Sequence, residues 1–328
     1  PQPSGGPARR HERARADAST VARLRAAGAI PLGVTNVSEL CMWMESNNKL
    51  YGRTNNPYDP ARIVGGSSGG EGAIVGAGAS PFGLGSDVGG RLRMPAFFNG
   101  VFGHKPTGGR VPGTGQYPSA NGAALRYLTT GPLCRKAEDL YPLVSLMQGP
   151  AGVDTGCEEL PLSDPASVHV SDLRVINVTS NGRTPVHPAL QSAQMRAADH
   201  FRSLGCEVIP YSHPFLSHSF DIWSSMFGTA EGAGAYRQLL QKPNKRDVLR
   251  EFGNFARGRS VHTLPSLVLG LIEDVGSGFE KRAQKFVQMG HELHEALSEK
   301  IGPQGILLYP SYSEPAPKHN KPLWPPFN

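Results

Sequence analysis

No run of eighteen or more apolar residues occurs in this sequence, and no charged segment leads into an apolar one near its start. Neither a membrane-crossing helix nor a signal peptide is therefore expected. Cysteine is scarce: Cys41, Cys134, Cys157 and Cys206 lie far apart, without CxxC or Cys/His ligand spacing. That pattern points away from a zinc site and a disulfide framework, towards buried free thiols in a reducing, intracellular compartment. A basic stripe interleaved with aromatics is missing too. The formal net charge of +6 is concentrated early, in Arg9, Arg10, Arg13, Arg15, Arg23 and Arg25, so nucleic acid is not an expected partner. No lysine precedes Lys49, and no Gly-Lys-Ser or Gly-Lys-Thr follows the glycine-rich stretch, which rules out a nucleotide P-loop.

Glycine and proline, by contrast, are plentiful. With 40 and 29 among 328 residues they fall short of low complexity but call for many tight turns, while 38% hydrophobic residues can supply a core. Residues 1–16 (PQPSGGPARRHERARA) carry no apolar periodicity and read as disordered, and residues 17–328 read as a single domain. Both ends lie in Pro-rich stretches, as expected of a piece of a longer product. The domain should open with a helix from Asp17, capped by Ser19 or Thr20 and closed at Gly28. A buried strand over 30–34 and a short helix over 37–42 follow, then a surface loop over 47–60. A small-residue helix over 71–78 and a strand over 82–84 come next. In the second half a strand (173–178), a helix (188–204) and a strand (206–209) make a βαβ-like unit. Helices dominate 220–301 and a strand returns at 305–309. The class is α/β.

The chemistry concentrates between Val64 and Lys105. Val64–Gly72 reads VGGSSGGEG, which alone is an ordinary glycine turn as often as a site. A second turn, Gly85-Ser86-Asp87-Val88-Gly89-Gly90-Arg91-Leu92-Arg93, places Arg91 24 residues after Ser67, and Pro95-Ala96, Gly100-Val101-Phe102-Gly103 and Lys105-Pro106 continue it. This constellation resembles the amidase-signature family. The resemblance implies a mixed, mainly parallel twisted sheet covered by helices on both faces, with no cofactor and no metal. It also implies a nucleophilic serine in the second turn, whose proton passes through a cis serine of the first turn to an upstream lysine. The logic is that of any activated hydroxyl, which needs a neighbouring base to become a competent nucleophile. Backbone N–H groups at the turn would stabilise the oxyanion, each typically contributing about 3–4 kcal/mol.

Carried over position by position, Ser67 matches the bridging serine and Ser68 its supporting neighbour. The backbone of Val88, Gly89 and Gly90 matches the oxyanion hole, and Asp87 and Arg93 are supporting residues flanking it. Two departures follow. Arg91 stands at the nucleophile position, and a protonated guanidinium has no lone pair with which to attack a carbonyl. The upstream Lys-Asp segment has no counterpart either, since the chain starts with the PQPSGG run. Lys105 matches a later structural motif.

Further segments resemble the fatty-acid amide hydrolase branch of the family, closest to its vertebrate type 2 form. They are Ser38-Glu39-Leu40-Cys41-Met42-Trp43, Tyr51-Gly52-Arg53-Thr54-Asn55-Asn56-Pro57-Tyr58, Met94-Pro95-Ala96-Phe97-Phe98-Asn99-Gly100 and Ala316-Pro317-Lys318-His319. That resemblance implies hydrolysis of long-chain fatty-acid amides such as oleamide and N-acyl ethanolamines, with this chain inactive or impaired by its two departures. Candidate walls for an acyl chain are Met42, Trp43, Phe97 and Phe98, with the apolar run 264–272. The branch implies peripheral association with a membrane or lipid droplet, and a homodimer stays open as an assembly. Two alternatives are a non-catalytic lipid-binding protein, in which Arg91 pairs with a fatty-acid carboxylate, and another amidase-signature activity. The segments MPAFFNG and KLYGRTNNPYD disfavour the latter.

Overall fold

The computed structural model describes residues 4–120, 122–151, 153–230, 236–242, 244–272 and 280–323. In chain order the helices are α1 (Ser19–Ala26), α2 (Gly69–Gly76), α3 (Arg93–Phe98), α4 (Leu140–Met147), α5 (Pro188–Ser203), α6 (Ser219–Thr229), α7 (Tyr236–Leu239), α8 (Lys245–Ala256), α9 (Leu264–Ile272) and α10 (Glu280–Ile301). The strands are β1 (Asn47–Asn48), β2 (Gly52–Arg53), β3 (Phe82–Asp87), β4 (Phe102–Gly103), β5 (Thr129–Cys134), β6 (Arg174–Asn177), β7 (Glu207–Pro210) and β8 (Gly305–Leu308). The α/β class holds. The chain divides into two compact units, one of Pro1–Pro161, Ala230–Gly278 and Ala316–Phe327, the other of Leu162–Thr229 and Phe279–Pro315.

In the first unit β3 and β4 flank β5, both antiparallel to it, and β1 pairs with β2 as a short ribbon across the segment expected to be loop. The β3–β5 register sets Gly85 opposite Gly131 and Asp87 opposite Thr129, so the chain leaves β3 directly into the second glycine turn. Leu24, Val111, Cys134, Leu143 and Met147 form a buried cluster beneath α1 and α4. Arg23 ties the two helices together. Its Nη1 donates to the carbonyls of Met147 (2.7 Å), Gln148 (2.6 Å) and Gly149 (2.8 Å), which a helix C-terminus otherwise leaves unpaired.

Three local expectations change here. The expected hydroxyl cap of α1 is replaced by a backbone one, the Ser19 N–H donating to the Thr114 carbonyl at 3.1 Å, with Ala18 at the cap position. Segment 30–34 forms no regular element and pairs with no described strand, leaving Ile30, Leu32 and Val34 82%, 70% and 69% exposed. Pro31 removes one N–H from any ladder there, and apolar content alone does not create a neighbour to pair with. Within the stretch read as disordered, residues 4–10 make long-range contacts. The Leu40 N–H donates to the Ser4 carbonyl at 2.8 Å, the Ser4 hydroxyl to the Tyr117 carbonyl at 3.0 Å, and Arg9 stacks 3.5 Å over the Tyr117 ring.

In the second unit β7, β6 and β8 run parallel with β6 central, and α5 makes the crossover from β6 to β7 as the βαβ reading expected. Ile222 of α6 packs with Phe286, Met289 and Leu293 of α10. Gln194 on α5 is buried, and its Nε2 donates to the Val178 carbonyl (2.9 Å) and Asn177 Oδ1 (2.7 Å) at the end of β6. Gln194→Ala is expected to destabilise this unit by about 1–3 kcal/mol, because it strips a buried acceptor of its donor. A lowered urea midpoint checks this.

Candidate active site

The two glycine turns, 24 residues apart in sequence, are joined in space by Ser68. Its N–H donates to the Arg91 carbonyl at 3.2 Å, and its Oγ accepts from the Ser86 N–H at 3.2 Å. Ser46 pins the first turn from the other side. Its Oγ lies 3.0 Å from the Gly65 carbonyl and 3.1 Å from the Ser67 carbonyl, and it accepts from the Gly69 N–H at 3.0 Å. Gly65 has a φ of 81°, a left-handed conformation that an L side chain resists. Its position against Pro95 is equally restrictive, since a Cβ there would lie 2.8 Å from the Pro95 nitrogen.

The Gly66–Ser67 peptide is cis, and Ser67 is 1% exposed. Its Oγ is buried and sits within hydrogen-bonding reach of the weakly polar Cys41 thiol. Burial pushes that thiol above its usual pKa, against the pull of the Arg91 guanidinium.

Asp87 organises the second turn. It is fully buried and accepts from the N–H groups of Gly90 (2.7 Å), Leu92 (3.3 Å) and Arg93 (3.3 Å). Arg93 grips it through two side-chain bonds, Nε to Oδ2 at 2.9 Å and Nη2 to Oδ1 at 3.0 Å, with Lys105 Nζ 3.6 Å from Oδ1. Burial alone would raise the carboxyl pKa, but the Arg93 and Lys105 charges and the Gly90 N–H outweigh it and hold Asp87 far below the usual carboxylate range. Of the three turn residues assigned to an oxyanion hole, Gly90 therefore already commits its N–H to Asp87. Asp87 and Arg93 hold the turn together through these bonds.

Arg91 leaves this turn and is anchored by Nη1, which donates to the Cys41 carbonyl at 2.6 Å. Its Nε is buried without a partner. Burial lowers the guanidinium pKa, against the opposing pull of Cys41 and Asp87.

The four apolar candidates scatter. Trp43 lines a cleft of about 230 Å³ with Glu45, Lys49, Phe255, Leu264 and Leu323 among its walls. Met42 packs instead against Leu40 and Leu240. On α3, Phe98 is buried and Phe97 half-buried, their rings 5.5 Å apart, and the Phe98 carbonyl accepts from Asn56 Nδ2 at 2.8 Å. Lys49 lines the Trp43 cleft. Its Nζ sits 5.9 Å over the Phe255 ring.

Sequence reasoning gave no role to a buried cluster behind Cys41. Glu39 is 1% exposed, and its Oε1 lies 2.6 Å from His262 Nδ1. Its Oε2 accepts from the Thr263 N–H at 2.7 Å and the Thr263 hydroxyl at 2.8 Å. This carboxylate holds Leu40 and Cys41, both at positive φ (52° and 60°), in a conformation disfavoured for non-glycine residues. A carboxylate within a predicted apolar helix was the available signal.

A family model described as Amidase matches residues 3–326. The chain belongs to the amidase-signature family. Within it, the sequence is 45% identical over 323 residues to fatty-acid amide hydrolase 2-A of Danio rerio, covering 95% of this chain and 59% of that protein. It is 43% identical over 338 residues to fatty-acid amide hydrolase 2 of Homo sapiens, covering 100% and 62%. The chain thus spans about three fifths of the length of these curated relatives. Among solved structures, a fatty acid amide hydrolase superposes with a TM-score of 0.67 at 22% identity, over 93% of this chain and 52% of that one, a likeness of fold.

Proposed function

We propose that this chain carries the amide-recognition fold of a fatty-acid amide hydrolase, takes long-chain fatty-acid primary amides and N-acyl ethanolamines as its ligands, and does not itself cleave them. The observation that carries this reading is Arg91, which occupies the nucleophile position of the family motif and is tied by its guanidinium to the Cys41 carbonyl at 2.6 Å. A guanidinium cannot attack a carbonyl. Ser67 has the place of the proton-bridging serine, but its Oγ contacts no base among the described residues. The backbone at Val88 and Gly89 is the candidate cradle for a carbonyl oxygen, the Gly90 N–H being held by Asp87, and the cleft lined by Trp43 is the candidate seat for an acyl chain, with Met42, Phe97 and Phe98 packed elsewhere. No described helix is long and apolar enough to cross a membrane. Presentation of such amides at a membrane or lipid-droplet surface belongs to the same reading.

The test is hydrolysis of oleamide followed by ammonia release. The unaltered chain is expected to show no turnover. Arg91→Ser is expected to show none either, because a restored hydroxyl still finds Ser67 without a base to pass its proton to. Turnover by the unaltered protein would sink the reading, and turnover by Arg91→Ser would show that a base reaches Ser67.

A further inference from the structure

We propose that the Trp43 cleft is a length-limited seat for an acyl chain, which holds about eight carbons of the ligand, so that medium-chain amides bind as tightly as long-chain ones. This rests on the reading above that the protein takes acyl amides, and it narrows which part of the chain is recognised.

The cleft shares a wall with the first glycine turn. A Cβ added to Gly66 would lie 2.5 Å from the Trp43 carbonyl oxygen and 2.9 Å from the Glu45 nitrogen, so residues 43–45 run directly against that turn. Ser46 fastens the two together, its Oγ 3.0 Å from the Gly65 carbonyl and 3.1 Å from the Ser67 carbonyl. An acyl tail leaving the glycine turns over this segment enters the cleft.

Its chemistry suits alkyl carbon. Trp43, Phe255 of α8, Leu264 and Pro265 of α9, and Leu323 are apolar and half-buried around it. The inner polar groups are already committed. Glu45 is 3% exposed, and its carboxylate takes Arg53 Nε at 3.0 Å, His319 Nδ1 at 2.7 Å and the Asn320 N–H at 3.1 Å. The Thr263 hydroxyl donates to Glu39 at 2.8 Å. Covering these walls with methylenes therefore removes apolar surface from water without stranding a polar group. Lys49 and Asn320, which complete the lining, are exposed. Carbons that run past the apolar walls meet solvated ammonium and amide groups there, and their burial adds little.

Volume sets the limit. Among the described residues the cleft encloses about 230 Å³. At roughly 30 Å³ for each methylene, close to the share of one water in the liquid, that space takes about eight carbons, and an oleoyl chain of about eighteen needs more than twice as much.

Calorimetric titration of the unaltered protein with straight-chain primary amides, from butanamide to tetradecanamide at monomeric concentrations, tests this. Affinity is expected to climb about fourfold per methylene while the cleft fills. It should then level off between about eight and twelve carbons, the first few of which span residues 43–46. Trp43→Ala should move the plateau to longer chains and Leu264→Trp to shorter ones, shifts that a merely structural role would not produce. A climb that continues to tetradecanamide overturns the length limit and leaves the amide reading standing. A plateau that stays in place in folded Trp43→Ala and Leu264→Trp proteins also overturns it, since the tail then lies elsewhere. Failure of every amide to bind overturns the amide reading itself, and the seat with it.

Discussion

Replacing Asp87 by alanine is expected to lower stability by about 3–5 kcal/mol, among the largest losses any single substitution in this chain should cause. The carboxylate is fully buried and accepts three backbone N–H groups of its own turn, while Arg93 and Lys105 lie against it. Removing it leaves the N–H groups of Gly90, Leu92 and Arg93 without that acceptor and withdraws the counter-charge from the partly buried Lys105. Asn at the same position keeps some hydrogen bonding but loses the charge, so Asp87→Asn should fall between wild type and alanine. The urea midpoint of the three proteins orders them, and Asp87→Ala matching wild type would refute this account of the turn. The pH dependence follows in sign. A carboxyl whose folded pKa lies below its unfolded value contributes stability that is fully present above the unfolded value, about pH 4, and is lost as the pH falls towards the folded one. Wild type should therefore lose stability on acidification below about pH 4 by more than Asp87→Asn does.

Replacing Glu39 by alanine should cost a similar amount, about 3–5 kcal/mol, because it strips His262 Nδ1 and both donors of Thr263 of one buried acceptor group. Its second consequence is local. Leu40 and Cys41 are held at positive φ by the structure around them, and Glu39 is the anchor that precedes them. Without it this turn should relax, and the Cys41 carbonyl should leave the Arg91 guanidinium it fixes at 2.6 Å. Hydrogen exchange at the amides of 40–42 should accelerate more in Glu39→Ala than in Asp87→Ala. Equal acceleration across the whole first unit in both variants would mean that Glu39 acts only on global stability.

Much of the frame was legible beforehand because it rests on local chemistry. The small residues of α2, the periodicity of α5 and the apolar runs of β6, β7 and β8 each mark their own element, and the elements lie within a few residues of expectation. Both glycine turns were readable for the same reason, since few sequences besides GGSSGG and GSDVGG satisfy their backbone demands. Segment 30–34 was misread because a strand needs a partner, and apolar alternation describes only one half of a pair. β5 passed unnoticed. Its Thr-Thr-Gly-Pro-Leu-Cys sequence carries a proline and a glycine that argue against a strand, and register against β3 overrides them.

What the sequence by itself determined is the family and the chemical departure at its centre. Motif spacing and the identity of residue 91 are written in the chain, and no folding can give a guanidinium a nucleophilic lone pair. What only the tertiary structure decided is which groups meet. Glu39 with His262, Ser46 with the first turn, Asp87 against Lys105, and Arg91 with the Cys41 carbonyl come from positions 18 to 223 residues apart. Such contacts depend on burial, which strengthens a charge or a hydrogen bond in proportion to the water it excludes, and burial is a property of the folded whole.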